Sequence, residues 1–249
     1  MNTNKIEVKG LCKSFDGNSV LNDINFQIKS GEFVVIMGQS GCGKSTLLYS
    51  VSGMDRVTEG EIRFDNSNLS ELSDKEMQKL RLERMGFIFQ KANFIKNLSI
   101  ADNIVFPAYQ LGKKSRKEIV SDAESLMRKM GIISVADHDI RKVSGGQLQR
   151  AAICRAMINN PDILFGDEPT GALNSSSTNE VMNILEQINF DGTTILLVTH
   201  DAKVASRADR VIYLEDGKIK DEFKQKKSTE NNLQIRENSL KEWLAKMGF

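Results

Sequence analysis

The stretch Phe33-Val-Val-Ile-Met-Gly-Gln-Ser-Gly-Cys-Gly-Lys-Ser45 joins a short apolar run directly to a glycine-rich loop. A solid apolar run of this length is typical of a central strand that is buried on both faces. The residues from Gly38 onward fit the pattern Gly-x4-Gly-Lys-Ser, which binds phosphate when it lies between a strand and a helix. The residues as far as Val51 suit a helix. The sequence therefore predicts a strand, a phosphate-binding loop and a helix, in that order.

Each part of this loop has a predicted task. The glycines let backbone N–H groups turn inward around an anion, and the helix N-terminus adds its partial positive charge. Lys44 is expected to contact the β- and γ-phosphates of a nucleotide, and the Ser45 hydroxyl is expected to ligate Mg²⁺. The helix N-terminus can also lower the pKa of the Cys42 thiol, to which we assign no catalytic role. The candidate nucleotide-binding residues here are Gly38, Gln39, Ser40, Gly41, Cys42, Gly43, Lys44, Ser45 and Thr46.

Strands alternate with helices on both sides of the loop. Alternation of this kind implies an α/β fold with a mostly parallel sheet that is covered on both faces. Toward the N-terminus apolar and polar residues alternate, as in strands with one buried face, and we assign this part to an antiparallel β subdomain. The predicted strands are 6–8, 24–28, 61–64, 163–165, 194–199 and 210–214, and a helix is predicted at 176–188.

The middle of the chain is predicted to be an inserted helical subdomain at about 91–160. Apolar residues recur there at helical spacing, as in Ile119, Ala123 and Met127, with charged residues between them. Gly131 follows this apolar stripe and is the expected C-cap of the helix.

The whole chain is predicted to divide into one domain, at 1–223, and a tail at 224–249. The tail begins with a polar, lysine-rich stretch, which we interpret as a linker, and ends in a short amphipathic helix. Two interpretations of this helix stay open: it docks on its own domain, or it contacts a partner. Its apolar residues are Leu240, Trp243, Leu244 and Met247.

The composition excludes several classes of protein. The 249 residues include 34 Lys and Arg against 33 Asp and Glu, and this balance argues against a surface built for nucleic-acid phosphates. No apolar run approaches the roughly 20 residues of a membrane-spanning helix, and the first residues do not resemble a secretory signal. Cys12, Cys42 and Cys154 are not spaced as metal ligands, which suits a reducing compartment. We expect a cytoplasmic protein with no nucleic-acid partner and no direct membrane insertion.

A second predicted strand ends in two acidic residues, Asp167 and Glu168. A carboxylate at the carboxyl end of a parallel strand beside a phosphate loop can hold Mg²⁺, and Asp167 fits this role. Glu168 lies one residue further along, so its side chain is expected to point toward an attacking water. We assign Asp167 to metal binding and Glu168 to catalysis.

The sequence Ser144-Gly-Gly-Gln147 is a second glycine-rich helix start. Its open backbone N–H groups form a second site for an anion. One domain has no obvious need for two such sites, whereas a dimer that shares each nucleotide between two chains needs both. Ser144, Gly145, Gly146 and Gln147 are therefore candidate nucleotide-binding residues, and we expect a homodimer that forms on ATP binding.

With these motifs together, the chain resembles an ATP-binding-cassette (ABC) ATPase of the transporter class from about Ile6 to Lys220. The resemblance implies a P-loop NTPase core, ATP and Mg²⁺ as cofactors, and Mg²⁺-dependent hydrolysis. It also implies a membrane permease as partner, which would hold the protein at the inner face of the cell membrane. At family positions it implies that Phe15 stacks on adenine, that Gln90 senses Mg²⁺ and the γ-phosphate, and that His200 contacts the γ-phosphate.

One position departs from the family pattern. Asn174 stands where the family usually has Asp. Asn and Asp cap a following helix about equally well, so we expect the local fold to survive. The lost charge can weaken communication across the dimer, but Glu168 is retained and an active enzyme is still expected.

Two classes of ABC protein stay open: the motor of a membrane transporter, and a soluble cassette ATPase that acts on DNA, ribosomes or iron–sulfur assembly. The chain has no long heptad run and only one cassette, which favours the motor. The sequence at 94–107 and 166–174 resembles that of one subgroup of the family. This subgroup contains macrolide-export, lipoprotein-release, bacitracin-type peptide-resistance and cell-division ATPases. We favour antimicrobial-peptide resistance, with lipoprotein release or cell-division-type mechanotransmission as the alternative.

The surface between Gln90 and about Pro107 is the predicted contact with the permease. Phe94, Ile95 and Leu98 follow Gln90 at once, so this loop can report the γ-phosphate to a docked permease helix. The alternative is that these apolar side chains fill the core of the helical subdomain itself.

Overall fold

The computed structural model describes residues 4–225 and 232–249. They form two compact units: the first comprises residues up to Met77 together with those from Asn189 onward, and the second comprises Gln78–Ile188. The strands are β1 (Asn4–Phe15), β2 (Asn18–Lys29), β3 (Phe33–Met37), β4 (Glu59–Phe64), β5 (Ser67–Asn68), β6 (Met85–Phe89), β7 (Ile163–Asp167), β8 (Thr194–Val198), β9 (Arg210–Glu215) and β10 (Lys218–Lys224). The helices are α1 (Lys44–Val51), α2 (Asp74–Arg84), α3 (Ile100–Leu111), α4 (Arg116–Lys129), α5 (Gly145–Met157), α6 (Ser175–Phe190), α7 (Ala202–Ala205) and α8 (Leu233–Lys246).

The first unit contains an antiparallel sheet in the order β2-β1-β4-β5. Strand β2 buries one face through Ile24, Phe26 and Ile28, while the residues between them are exposed. This alternation gives a sheet with one solvated face, as antiparallel sheets commonly have. The predicted antiparallel β subdomain is confirmed.

The first unit also contains four strands in the order β10-β9-β3-β8. Strand β3 pairs in parallel with both β8 and β9, and every residue of β3 is buried. Strand β10 is absent from the predicted strands because it is mostly polar. It forms an antiparallel hairpin with β9 through Asp216 and Gly217, which both have positive φ as a tight hairpin turn requires.

In the second unit, β6 and β7 pair in parallel, and three longer helices lie in the predicted insertion. Helix α4 buries Ile119, Ala123 and Met127, as its apolar stripe predicts. Its C-cap is Met130, and Gly131 comes next in the left-handed conformation. The mixed α/β fold class is confirmed, whereas the limits at 1–223 and 91–160 stay predictions.

The tail differs in part from the predicted linker. Lys224 ends strand β10, and the Gln225 N–H donates to the Asp209 carbonyl oxygen at 2.8 Å. The rest of the predicted linker, at 226–231, lies outside the described residues. Among the described helices, none combines the length and apolar content that are needed to cross a membrane.

Candidate functional site

The phosphate loop depends on two glycines for its shape. Gly38 has φ +154°, and a Cβ placed there would lie 2.1 Å from the Leu214 carbonyl oxygen. Gly43 is the N-cap of α1 and has φ +101°, so it lies in the left-handed region that favours glycine. Within the described residues no side chain caps α1. The first turn of this helix therefore presents backbone N–H groups, as an anion site requires.

Lys44 lies in the loop and is buried, with only 8% of its surface exposed. Its Nζ donates to the carbonyl oxygens of Gly38 at 2.9 Å and Gln39 at 2.7 Å. These contacts hold the ammonium group against the loop backbone. A cation held beside a helix N-terminus makes this part of the first unit strongly attractive to phosphate.

The other predicted loop residues divide by position. Gln39, Ser40 and Gly41 form the exposed crest of the loop, while Ser45 and Thr46 lie half-buried in the first turn of α1. A hydroxyl in that turn is a hard oxygen ligand of the type that Mg²⁺ takes. These assignments to nucleotide and metal stay predictions.

The expected effect of the helix on Cys42 is reversed. The pKa of the Cys42 thiol is raised, chiefly because burial disfavours the thiolate, and Asp216 adds to the rise. Lys44, whose Nζ is 4.0 Å from the sulfur, acts in the opposite direction but does not prevail. Burial also raises the pKa of Cys154, to about 12. The structure thus gives no support for an activated thiolate in the loop.

The two acidic residues after β7 differ in backbone conformation. Asp167 is the last residue of β7 and is in register with Phe89 of β6. Glu168 has φ +46°, which is uncommon for a residue other than glycine. Such strained backbone persists only where the surroundings fix it, and it concentrates at functional sites.

The structure brings Gln90 and Glu168 together in the second unit. The Gln90 Nε2 donates to Glu168 Oε2 at 3.4 Å. A Cβ on Gly171 would lie 3.0 Å from Gln90 Nε2 and 3.1 Å from Glu168 Oε2, so glycine leaves room for this pair. Both residues are catalytic candidates from separate motifs, and their contact makes one polar cluster of them.

We call Ser144–Gln147, the second glycine-rich helix start, the signature. This helix start is capped by its own side chains. Ser144 is the N-cap of α5, and its Oγ accepts from the Gln147 backbone N–H at 3.3 Å. The Gln147 Oε1 accepts in return from the Ser144 backbone N–H at 2.9 Å, which completes a capping box. Ser144 and Gly145 are exposed, while Gly146 is buried against Ser177, whose Oγ would lie 2.9 Å from a Cβ there.

Asn174 caps helix α6, as its sequence position suggested. Its Oδ1 accepts from the Ser177 backbone N–H at 2.9 Å. The carbonyl oxygen of Asn174 also accepts from the Thr178 N–H at 2.9 Å. An Asp at this position would make the same bonds, so the substitution changes charge and leaves the cap intact.

His200 lies in the first unit between β8 and α7 and is exposed. Its neighbours are fixed: the Thr199 N–H donates to the Ile36 carbonyl oxygen at 3.2 Å, and the Asp201 N–H donates to Thr199 Oγ1 at 3.1 Å. The imidazole is therefore presented to solvent from a well-held backbone. Its predicted contact with a γ-phosphate stays a prediction.

Phe15 is the last residue of β1, and 44% of its side chain is exposed. The Lys13 Nζ lies 4.5 Å from the centre of its ring, in a cation–π arrangement. An exposed aromatic ring at a strand end suits stacking on adenine, and this role of Phe15 stays a prediction.

Two residues that support the predicted permease surface escaped sequence reasoning. The Asn103 side chain, 1% exposed, accepts from the Ile95 N–H at 2.8 Å and donates to the Ser99 carbonyl oxygen at 2.9 Å. Arg155 lies over the Phe94 ring at 4.5 Å and donates to the Asn93 carbonyl oxygen at 3.2 Å. Burial lowers the Arg155 pKa to about 10. Both are polar helix residues that lie wholly or partly buried. A sequence pattern alone does not show that such residues are buried.

Comparison with known proteins places this geometry in a family. The ABC transporter family profile matches residues 21–171. The macrolide export ATP-binding/permease protein MacB of Campylobacter jejuni is 40% identical over 225 residues, which are 90% of this chain and 35% of MacB. The lipoprotein-releasing system ATP-binding protein LolD of Leptospira interrogans is 40% identical over 215 residues, 86% of this chain and 90% of LolD. The chain thus spans about a third of the macrolide export relatives and most of LolD.

Solved structures agree with the sequence comparison. The ATP-binding cassette MJ0796, in a dimeric post-hydrolysis state bound to ADP and Pi, matches with a TM-score of 0.83 at 38% identity. The match covers 90% of this chain and all of that one. The cassette cbiO1 from Clostridium perfringens matches with a TM-score of 0.82 at 30% identity, over 89% of each chain. The chain therefore belongs to the ABC transporter family, in which it forms an ATP-binding ATPase cassette.

Proposed function

We propose that this ATPase drives a separate membrane permease and that the motif residues perform hydrolysis in the roles that their family positions imply. Lys44 holds the β- and γ-phosphates, Phe15 stacks on adenine, and His200 contacts the γ-phosphate. The observation that carries the proposal is the strained backbone of Glu168, whose carboxylate lies beside Gln90. A base that must be held at a fixed angle explains why such a conformation is kept.

Mg²⁺ fits the oxygen donors that the motifs supply. The Ser45 hydroxyl and the Asp167 carboxylate are hard ligands, and magnesium sites usually combine one or two carboxylates with phosphate oxygens and waters. In the described part of the chain, no group of three or more His, Cys, Asp and Glu could hold a metal by itself. When bound, Mg²⁺ neutralises charge that develops on the phosphates.

Glu168 acts as the general base in this proposal. Its carboxylate accepts a proton from the attacking water, and the Gln90 amide at 3.4 Å holds the carboxylate in place. Gln90 also comes directly after β6 and precedes the loop that Arg155 and Asn103 support. Movement of the Gln90 side chain is therefore transmitted to that loop.

The signature residues serve a nucleotide that is held by a second copy of the chain. Ser144 and Gly145 are exposed at the start of α5, where they can face another molecule. In the proposed dimer they contact the γ-phosphate that the partner copy's phosphate loop holds, so ATP binding and dimerisation are linked by mass action. The dimeric cassette MJ0796 supports this arrangement by similarity.

The permease docks on the surface that comes after Gln90 in the chain. Ile95, Phe106 and Tyr109 are exposed by 45%, 40% and 41%, and Phe94 and Leu98 are half-buried. This distribution of exposed apolar side chains favours a docking surface over the alternative, in which they fill the core of the helical subdomain itself. The permease would hold the ATPase at the inner face of the membrane. Cysteine crosslinks from Ile95 to the permease, compared with crosslinks from exposed Val120, test the contact.

The transported or sensed substrate is proposed to be an antimicrobial peptide, handled by a permease with a large external domain. We choose this branch of the subgroup because of the sequence Ala-Leu-Asn-Ser, which ends at Ser175, and because the tail contains Trp243. Deletion of the gene should raise susceptibility to bacitracin more than to erythromycin. Equal or greater sensitisation to erythromycin would favour macrolide export, and mislocalised lipoproteins would favour lipoprotein release, the functions for which MacB and LolD are named.

The hydrolytic mechanism is tested by Glu168→Gln. The variant keeps the side-chain size and loses the base, so turnover should fall by about 100-fold or more while ATP binding persists. It should accumulate as an ATP-bound dimer of about twice 27.9 kDa in light scattering, whereas the wild type stays mostly monomeric. A variant that hydrolyses ATP at the wild-type rate would contradict the role of Glu168.

A second change separates the composite site from the role of Glu168. Ser144→Arg should abolish hydrolysis in the assembled transporter while ATP binding to the isolated chain is unchanged. If Glu168→Gln stays monomeric and Ser144→Arg leaves transporter hydrolysis intact, the shared-site arrangement is wrong.

A further inference from the structure

The C-terminal helix α8 is docked on the first unit by specific contacts. Leu240 and Leu244 are buried, at 0% and 2% exposure. The Trp243 Nε1 donates to Asp221 Oδ2 at 2.9 Å, and the Trp243 ring stacks on Phe223 with ring centres 5.3 Å apart. These buried side chains and this hydrogen bond fix the position of helix α8 on the first unit.

Arg236 is the buried cation of this docking surface. Only 5% of it is exposed, its Nε donates to the Ser206 carbonyl oxygen at 2.7 Å, and its Nη2 donates to the Ala208 carbonyl oxygen at 2.6 Å. Arg236 lies in the first turn of α8, where a positive charge opposes the helix dipole. Its position is thus unfavourable for α8 itself and is explained by the two carbonyl groups that it bonds.

Those carbonyl groups belong to the C-cap of α7 and to the turn after it, and the N-cap of α7, Asp201, comes directly after His200. Asp201 caps α7 through its Oδ1, which accepts from the Lys203 N–H at 2.7 Å, and Ser206 is the C-cap. A four-residue helix has little stability of its own, because helices this short are marginal without tertiary contacts. Arg236 therefore fixes one end of α7 while His200 adjoins the other.

We infer that Arg236 is a positioning residue for His200. Through Arg236, helix α8 holds the C-terminal end of α7, and α7 holds the histidine at the angle that its contact with the γ-phosphate needs. This inference rests on the role proposed above for His200. It gives the tail a part in hydrolysis through its own unit and predicts that loosening α8 lowers turnover without weakening ATP binding.

The first test compares variants of the full chain in steady-state hydrolysis. Arg236→Ala should lower kcat by about tenfold with little change in KM, since a misplacement of 1 Å costs about 100-fold and a loosened helix costs less. Arg236→Lys keeps the charge and one hydrogen bond, so it should recover part of the loss. The control is Lys241→Ala, which removes an exposed lysine of the same helix that pairs with Glu237 at 2.6 Å.

Two spectroscopic readouts separate positioning from general damage. Trp243 is the only tryptophan, so its fluorescence reports whether α8 is seated. The chain has two histidines, and NMR of the labelled rings should show a shifted or broadened His200 signal in Arg236→Ala with the His138 signal unchanged. Fluorescence and both histidine signals should keep their wild-type values in Lys241→Ala.

The outcomes distinguish this inference from the proposed function. His200→Ala must lower turnover, or the proposed role of His200 fails. If His200→Ala lowers turnover but Arg236→Ala leaves kcat and the His200 signal unchanged, positioning by Arg236 is refuted and the role of His200 stands. An Arg236→Ala variant that shifts both histidine signals equally, or lowers kcat without moving the His200 signal, also overturns positioning. In the His200→Ala background, Arg236→Ala should cause no further loss.

Discussion

The two glycine-rich helix starts of this protein solve the same problem in opposite ways. At α1, Gly43 is a left-handed N-cap without a side chain, and the N–H groups of the first turn depend on other partners. At α5, Ser144 and Gln147 cap each other, so the helix start satisfies its own backbone. The first arrangement suits a loop that surrounds its ligand, and the second suits a preformed surface that meets a ligand brought by another molecule.

Helices α3 and α4 show that the signature cap is ordinary in construction. Ser99 with Asp102 and Ser115 with Glu118 form the same capping box as Ser144 with Gln147. Helix α5 differs in the two glycines after the cap, of which Gly146 is so close to Ser177 that a Cβ there would lie 2.9 Å from its Oγ. Helix α5 therefore differs from α1 in its capping, and from α4 in the glycines of its first turn.

The largest expected effect tests the shape of the phosphate loop. Gly38→Ala places a methyl group 2.1 Å from the Leu214 carbonyl oxygen, so the loop cannot keep its path. ATP affinity measured by calorimetry should fall by about 100-fold or more, as backbone strain of about 3 kcal/mol implies. Gly41→Ala is the control: Gly41 also has positive φ, and among the described residues no atom beyond its chain neighbours lies within 4 Å of its Cβ position. Equal losses in both variants would mean that left-handed strain alone, and not the close approach, explains the effect.

The second prediction concerns Lys44, the buried cation of the first helix start. Lys44→Ala removes a charge-assisted contact worth about 1.5–3 kcal/mol, so ATP affinity should fall by roughly 10- to 150-fold. Lys218→Ala, which changes an exposed lysine of β10, should bind ATP like the wild type. Unchanged affinity in Lys44→Ala would contradict the role of this lysine at the first helix start.

The third prediction separates the signature cap from an ordinary cap. Ser144→Ala and Ser115→Ala should each lower the free energy of unfolding by about 1 kcal/mol, since each removes an N-cap side chain. Only Ser144→Ala should also lower hydrolysis by the assembled transporter, with ATP affinity of the isolated chain unchanged. Denaturant unfolding and ATPase assays of both variants give the result. A similar loss of activity in Ser115→Ala would reduce the signature cap to a stability element.

The smallest expected effect concerns Cys42, beside the first helix start. Alkylation requires the thiolate, which forms above the thiol pKa, and burial raises that pKa. Modification by iodoacetamide, followed by mass spectrometry, should therefore be slow at pH 7 and should accelerate only at alkaline pH. Cys154, with a pKa of about 12 and no exposed surface, should stay unmodified throughout. Rapid modification of Cys42 at pH 7 would show that the helix N-terminus governs this thiol after all.

The local motifs were predictable because their requirements lie within a few residues. The apolar run of β3, the glycines of the phosphate loop and the stripe of α4 each state their structure in consecutive residues. Strand β10 and helix α2 are absent from the predicted elements because mostly polar elements carry little hydrophobic pattern: in α2 only Met77 is buried. Their existence is decided by neighbours that are distant in the sequence.

The sequence by itself determined the α/β class, the family and the candidate residues, because the phosphate and signature loops are read over eight residues or fewer. Only the tertiary structure decided that Gly38 faces the Leu214 carbonyl oxygen, that Cys42 is buried enough to raise its pKa, and that Arg236 bonds the end of α7. The physical reason is distance along the chain. Close approach, desolvation and hydrogen bonds between remote segments depend on which surfaces meet, and a local pattern does not contain that information.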